Sequence, residues 1–173
     1  MLIDSHFHLA AMPADWRPMP ELVAGLAVTT QPSEWYPALQ GLSKLSANWR
    51  LALGVHPWFA NLEVDWLLLE RLLVEHPLSV IGEVGLDGSN GCLQPSLQQV
   101  VFQKQLDLAQ AYDRLLSLHC VNDHEQSYAL IRKMKGIRGG IVHGFTGSLV
   151  QAQRWQALGF HIGIGVRLLT SLT

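Results

Sequence analysis

The sequence predicts an α/β fold whose parallel sheet is rolled into an incomplete (β/α)8-type barrel. Seven short apolar runs recur along the 173 residues, and helix-like segments lie between most of them. The runs are too short and too rich in β-branched residues to be helices, so we interpret them as buried parallel strands. A complete barrel of this type takes about 250 residues. We therefore expect about seven of the eight strands, with the last strand and the final helices missing.

Local patterns predict the individual elements. A helix is predicted over residues 62–75, where a His-Pro pair ends it, and another over residues 95–114, which begins with a proline. A third helix begins after Ser148, whose hydroxyl can cap it, and ends at Gly159. Alternating helices and strands indicate a parallel sheet. The predicted strands cover residues 2–4, 26–30, 51–55, 80–84, 115–119, 140–143 and 160–165.

Composition and net charge indicate a folded protein without a strongly basic surface. Hydrophobic residues make up 49% and charged residues 15% of the chain, which supports a folded core and excludes intrinsic disorder. With 12 Lys and Arg against 14 Asp and Glu, the net charge is −2. This argues against a tight electrostatic nucleic-acid binder, but it is compatible with an enzyme that holds a phosphate chain through metal ions. Two cysteines, no signal-peptide pattern and no apolar stretch of membrane length indicate one cytoplasmic domain over residues 1–173, with no membrane contact.

Histidines follow or end several of the predicted strands. His6 and His8 lie two residues apart, and on an extended strand this spacing places both imidazoles on one face. Such a pair can clamp a divalent metal ion. Two solvated loop histidines would explain this pair, taken alone, equally well.

A carboxylate inside an apolar strand strengthens the metal hypothesis. Glu83 lies in the run Val80-Ile81-Gly82-Glu83-Val84, and burying its charge is costly unless a cation or hydrogen-bond donors meet it. A structural salt bridge is the alternative. The neighbouring glycines, Gly82 and Gly85, favour a site because they let another group approach the backbone closely.

Two more histidines end apolar strands, His119 and His143. One such histidine is more often a core residue, but five polar groups at the same ends of four strands predict a metal site. Mixed histidine and carboxylate ligands suit Zn, Mn or Fe, and a bridging carboxylate would place two ions about 4 Å apart. Hydrolysis of a phosphodiester or an amide is the chemistry that this set favours.

The remaining polar candidates carry weaker signals. His56 follows a strand and can hold a substrate oxyanion, although a loop histidine without a function is an equal alternative. Asp87 is expected either to cap the turn after its strand or to support a metal ligand. Cys120 is expected to be an inert buried thiol and His124 a surface residue. The loop of residues 144–148 can hold a phosphate at a helix N-terminus, or Ser148 can simply cap that helix.

Together these residues resemble the TatD family of metal-dependent hydrolases, in its YjjV-like deoxyribonuclease branch. The motifs occur in family order over nearly the whole chain, and their combination is very specific. They are Asp4-Ser5-His6-Phe7-His8, Gly54-Val55-His56-Pro57, Ile81-Gly82-Glu83-Val84-Gly85-Leu86-Asp87, Phe102-Gln103-Lys104-Gln105-Leu106, His119, and His143-Gly144-Phe145-Thr146-Gly147-Ser148.

The resemblance implies a TIM barrel that binds one or two divalent ions (Zn, Mg or Mn). It also implies hydrolysis of phosphodiesters by a metal-activated water, with single-stranded DNA or another phosphoester as substrate and degradation from 3′ to 5′. The protein itself is expected to be a monomer. His56 would line the phosphate site. By motif, Glu83 is the bridging and catalytic carboxylate, and the full set of metal ligands is His6, His8, Glu83, His119 and His143.

Three departures from the family pattern affect this expectation. Val121 stands where the family has a basic residue, and the proline-rich residues 10–25 are expected to have lost most of the first helix. The family's final Glu-Thr-Asp strand, which supplies the last ligand and a general base, has no counterpart in these residues. We therefore expect a chain truncated at its C-terminus. A one-base deletion before codon 166 is a hypothesis for the cause, because restoring the frame can turn residues 166–170 into Gly-Thr-Ile-Thr-Tyr.

Two alternatives to an active nuclease remain open from the sequence. The first is a catalytically impaired metal-binding fragment, because an open barrel exposes two strand edges and an apolar interior. The second is a hydrolase of the wider amidohydrolase type that acts on a C–N bond. Metal-dependent release of nucleotides from single-stranded DNA would separate the nuclease from both.

Overall fold

Seven parallel strands form one curled sheet, in which each strand pairs with the next along the chain. The computed structural model describes residues 1–13, 15–89 and 91–165. An incomplete barrel of the TIM type is thereby confirmed. The strands are β1 (Leu2–Phe7), β2 (Leu22–Val28), β3 (Trp49–Leu53), β4 (Val80–Asp87), β5 (Leu116–Val121), β6 (Gly140–Val142) and β7 (Phe160–Ile162).

Within the described ranges, five α-helices connect these strands: α1 (Trp35–Leu42), α2 (Trp66–Glu75), α3 (Pro95–Ala111), α4 (His124–Lys133) and α5 (Leu149–Ala157). The three helices predicted individually are α2, α3 and α5, and all are confirmed. The Asp65 carboxylate caps α2 by accepting a hydrogen bond from the Leu68 N–H at 2.9 Å. Ser148 and Gln151 form a reciprocal capping box at the start of α5.

The segment between β1 and β2 is short of helix, as expected. Within its described residues it holds one turn of 3-10 helix, Leu9–Ala11, and no α-helix. Strand β1 extends to Phe7, beyond the predicted end at residue 4. This extension places His6 inside the strand and His8 directly after it.

The hydrophobic core lies between the sheet and the helices that cover it. Its largest fully buried side chains include Trp35 on α1, Phe102 on α3 and Trp155 on α5. Helix α3 packs against β4, which carries the buried carboxylate of Glu83. The core therefore fixes the position of α3 relative to the middle of the sheet.

Two expectations concern the end of the chain and its environment. Strand β7 ends at Ile162, before the predicted end at residue 165. The frame-shift hypothesis concerns residues 166–170, which lie outside the described residues. Among the helices that the structure describes, none has the length and apolar character needed to cross a membrane.

Candidate metal centre

Five histidines converge on the carboxylate of Glu83, which is 3% exposed. One carboxylate oxygen, Oε1, lies 2.8 Å from His143 Nε2, 3.0 Å from His119 Nδ1 and 3.5 Å from His56 Nε2. The other, Oε2, lies 3.5 Å from His6 Nε2 and 4.0 Å from His8 Nε2. All six side chains singled out in the sequence thus lie in one cluster at the carboxyl ends of the strands.

The glycines beside Glu83 serve a different purpose from the one expected. A Cβ atom at Gly82 would lie 2.6 Å from the backbone oxygen of Ser117, and one at Gly85 would overlap the backbone of His119. Both glycines have positive φ angles, of 152° and 145°. The neighbouring strand β5, rather than a ligand, therefore occupies the space that the missing side chains leave.

Burial and hydrogen bonding set the charges in the cluster. Burial by itself raises the pKa of Glu83, but hydrogen bonds from His119, His143 and His6 outweigh it and hold this pKa far below its usual range. Burial also lowers the pKa of His143, and it lowers the pKa of His56 to about 3. The cluster therefore offers an ionised carboxylate with neutral imidazoles at His56 and His143 near neutral pH.

Asp87 orients His119. Its Oδ2 atom accepts a hydrogen bond from His119 Nε2 at 2.9 Å, so the Nδ1 atom of the same ring is turned toward Glu83. Burial opposes ionisation of Asp87, but hydrogen bonds from Ser89, His119 and Trp58 keep its pKa low. Asp87 also holds the turn after β4, because its Oδ1 atom accepts the Ser89 N–H at 2.9 Å. Asp87 therefore caps the turn and also contacts His119, and its support of a metal ligand stays a prediction.

His56 has the opposite tautomer. Its Nδ1 atom accepts a hydrogen bond from the backbone N–H of Trp58 at 3.1 Å, so the neutral ring carries its proton on Nε2. That N–H group points into the cluster, 3.1 Å from His119 Nδ1. His56 is therefore suited to donate a hydrogen bond, whereas metal coordination through Nε2 would require a further deprotonation.

The spacing of the donor atoms fits divalent metal ions. Glu83 Oε1, His119 Nδ1 and His143 Nε2 are separated from one another by 2.8, 3.0 and 3.3 Å. Ligand atoms placed tetrahedrally around a zinc ion, at bonds of about 2.0–2.1 Å, are separated by about 3.3 Å. The other oxygen, Glu83 Oε2, faces His6 and His8, and the His6 ring stacks on that of His143 at 3.7 Å. Within the residues that the structure describes, the buried Nδ1 atom of His6 has no hydrogen-bond partner. One carboxylate thus faces two groups of nitrogen donors.

Helix α3 supports the centre through two glutamines to which the sequence alone gave no role, although Gln105 lies in one of the family motifs. Gln105 accepts a hydrogen bond from the Val55 N–H at 2.7 Å and donates one to the Val55 carbonyl at 3.0 Å. Gln98 does the same for Asp87, at 2.8 and 3.0 Å. Both side chains are buried, at 2% exposure or less. The sequence feature that could have revealed these supports is the pair of glutamines itself: two amide side chains, seven residues apart, on the apolar face of a predicted helix.

One expectation about a neighbouring residue was wrong. His124 is buried rather than on the surface, because its ring packs against Phe145 and its Nδ1 atom lies 3.1 Å from Cys120 Sγ. Burial raises the pKa of Cys120 to about 12, in agreement with an inert thiol. The hydroxyl of Ser148 is engaged in its capping box, so helix capping accounts for this residue.

The sequence matches the TatD related DNase family over residues 3–171. The chain belongs to this family. Among its relatives, the "Uncharacterized metal-dependent hydrolase YjjV" of Escherichia coli is 38% identical over 66% of this chain and 46% of its own length. The "3'-5' ssDNA/RNA exonuclease TatD" of Erwinia amylovora is 34% identical over 82% of this chain and 56% of its own length. The chain thus spans about half the length of the curated TatD relatives that it matches.

Solved structures of TatD proteins share this fold. The crystal structure of YjjV from Escherichia coli superposes with a TM-score of 0.80 at 28% identity, over 96% of this chain and 68% of that chain. A TatD family hydrolase from Entamoeba histolytica superposes with a TM-score of 0.78 at 19% identity, over 97% of this chain and 68% of that chain. The second likeness concerns the fold alone.

Proposed function

We propose that this protein is a divalent-metal-dependent hydrolase of phosphodiester bonds that removes nucleotides from the 3′ end of single-stranded DNA. One observation carries the proposal: the buried carboxylate of Glu83 faces two groups of histidine nitrogens with its two oxygens. This arrangement suits a pair of bridged ions, which can clamp the oxygens of a phosphodiester. Relatives named 3'-5' ssDNA/RNA exonuclease support the choice of substrate.

The proposed metal ligands are Glu83, His119 and His143 on one side and His6 and His8, with Glu83, on the other. Zn, Mg and Mn are the candidate ions. A divalent ion supplies Lewis acidity toward the phosphate oxygens and lowers the pKa of water. Asp87 holds the proton of His119 on Nε2 and so keeps Nδ1 available as a ligand.

His56 is the proposed contact to the substrate. Its Nε2–H group points into the cluster, and burial lowers its pKa to about 3, so the ring is neutral near neutral pH. A neutral N–H donor can bind a phosphate oxygen without competing for the carboxylate charge of Glu83. The backbone N–H of Trp58 fixes this tautomer, so the donor is in place before the substrate arrives.

The decisive experiment measures metal-dependent shortening of a 5′-labelled single-stranded oligodeoxynucleotide by the full chain. We expect stepwise loss of 3′ nucleotides with Zn, Mg or Mn, and no loss with a chelator. Glu83→Gln should reduce the rate at least about 100-fold, whereas Glu75→Gln, at the exposed end of α2, should not. Metal uptake without any nucleotide release would refute the proposal and favour the impaired fragment. Turnover of a C–N substrate alone would favour the amidohydrolase alternative.

We also propose that the protein acts as a monomer in the cytoplasm. Cys92 and Cys120 are both free, and burial of Cys120 makes it a poor partner for a disulfide. Light scattering coupled to size exclusion tests the monomer, and a dimer mass would refute it. Fractionation of cells that produce the protein tests the compartment.

A further inference from the structure

A large aromatic side chain lies exposed at the rim of the metal centre. Trp58 is 56% exposed, although it follows directly on the motif that contains His56. Among the Phe, Trp and Tyr residues that the structure describes, only Trp58 and Tyr36 are more than half exposed. An indole ring exposed at the rim of a site is available to pack against a planar group of a bound ligand.

The ring of Trp58 is held at the centre on two sides. Its Nε1–H group donates to Asp87 Oδ2 at 2.8 Å, and its backbone N–H donates to His56 Nδ1 at 3.1 Å. The ring centroids of Trp58 and His56 lie 5.0 Å apart. A ring fixed in this way loses little conformational entropy when a ligand packs on its exposed face. More of the contact energy is therefore retained as binding affinity.

Positively charged side chains do not contact the cluster in the residues that the structure describes. In the described part of the chain, no Lys or Arg forms a hydrogen bond or an ion pair with Glu83, Asp87 or the clustered histidines. Val121, two residues after His119, is uncharged. In the part of the chain that the structure describes, bound metal ions and uncharged groups are therefore the contacts that the cluster offers to a substrate.

We propose that Trp58 is the platform on which the nucleobase beside the scissile phosphate stacks. The inference rests on the proposed nuclease function and adds the part of the substrate that is recognised: a planar base at the 3′ end of a single strand. Stacking on an aromatic ring tolerates every base, because each base has a π face. The site would then accept any sequence, but it would reject strands whose terminal base is missing or held in a duplex.

Equilibrium binding tests this proposal independently of turnover. The probes are two fluorescent single-stranded oligodeoxynucleotides with phosphorothioate linkages, one with a normal 3′ end and one with an abasic 3′-terminal residue, measured by anisotropy with Mn²⁺. The wild-type chain should bind the normal strand more tightly. Trp58→Ala should weaken binding of the normal strand about 5- to 100-fold and leave the abasic strand nearly unaffected.

Two further variants separate stacking from the hydrogen bond to Asp87. Trp58→Phe keeps a ring but loses the indole N–H, so it should retain most of the preference for the normal strand. Tyr36→Ala removes an equally exposed aromatic ring on α1 and should change nothing. The platform is refuted if Trp58→Phe loses as much affinity for the normal strand as Trp58→Ala does. It is also refuted if Trp58→Ala weakens binding of the normal and the abasic strand equally, because Trp58 would then only position Asp87. If the wild-type chain binds neither strand, the DNA substrate of the proposed function fails as well.

Discussion

Replacing Gln105 by leucine tests whether α3 holds the centre in place. The side chain is 1% exposed, and its amide pairs with both backbone groups of Val55, the residue before His56. Leucine has a similar volume but no polar atoms. The variant therefore leaves a buried N–H and a buried carbonyl without these partners, while the apolar packing of α3 is largely preserved.

The expected magnitude follows from these two groups. Each buried backbone group left unpaired costs about 1–3 kcal/mol, and the better burial of leucine compensates part of this. We expect the free energy of unfolding to fall by about 2–4 kcal/mol. For a domain of this size, the fall corresponds to a decrease in Tm of roughly 5–15 °C. His56 should also be displaced, because its backbone follows directly on Val55.

Urea denaturation and calorimetry measure the change, and Gln103→Leu on the same helix is the matched control. Gln103 is half-buried and its amide donates to the exposed side chain of Asp107, so its loss should cost at most about 0.5 kcal/mol. The reasoning is refuted if Gln105→Leu and Gln103→Leu have the same stability. It is also refuted if Gln105→Leu is destabilised but the pKa of His56, followed by NMR, stays at its wild-type value.

Three further predictions concern the centre and its surroundings. Asp87→Asn should weaken metal binding about 10- to 100-fold in calorimetric titrations, because it no longer stabilises the proton on His119 Nε2; unchanged affinity would contradict this role. The pKa of His56 is lowered by burial from 6.5 to about 3, so the unfolded chain binds a proton that the native chain does not. In chelator, lowering the pH from about 7 to about 5 should therefore cost the wild type about 2 kcal/mol more than His56→Gln, and equal losses would refute the burial argument. Ser148→Ala removes the capping box of α5 and should cost about 1 kcal/mol, measured against Ser43→Ala as an exposed control.

Much of the fold follows from patterns that a sequence displays directly. Buried parallel strands are continuous apolar runs, so all seven strands could be predicted. The end of β1 was missed because Ser5 and His6 interrupt its apolar character although they continue the strand. The cluster could also be predicted, since polar residues at the carboxyl ends of parallel strands meet at one end of a barrel.

The hydrogen bonds that hold the metal centre in place could not be predicted, because they depend on how far each helix lies from each strand in the folded protein. The type and spacing of Gln98 and Gln105 do not reveal which strand each amide reaches. The burial of His124 likewise depends on its contact with Phe145, which lies in a loop distant from His124 in the sequence. The glycines of β4 were correctly associated with a close approach, but only the packing of β5 identifies the approaching group.

The structure divides the centre into a firmly held part and a more exposed part. Helix α3 holds Val55, just after β3, through Gln105 and holds Asp87 on β4 through Gln98. It thereby fixes the backbone next to His56 and that of Asp87. His8, by contrast, follows β1, which pairs only with β2 among the described strands, and its side chain is 44% exposed. A ligand set that is already in position loses less conformational entropy when it binds an ion. The donors around His119 should therefore bind the first metal ion, and the donors on β1 should bind a second one more weakly.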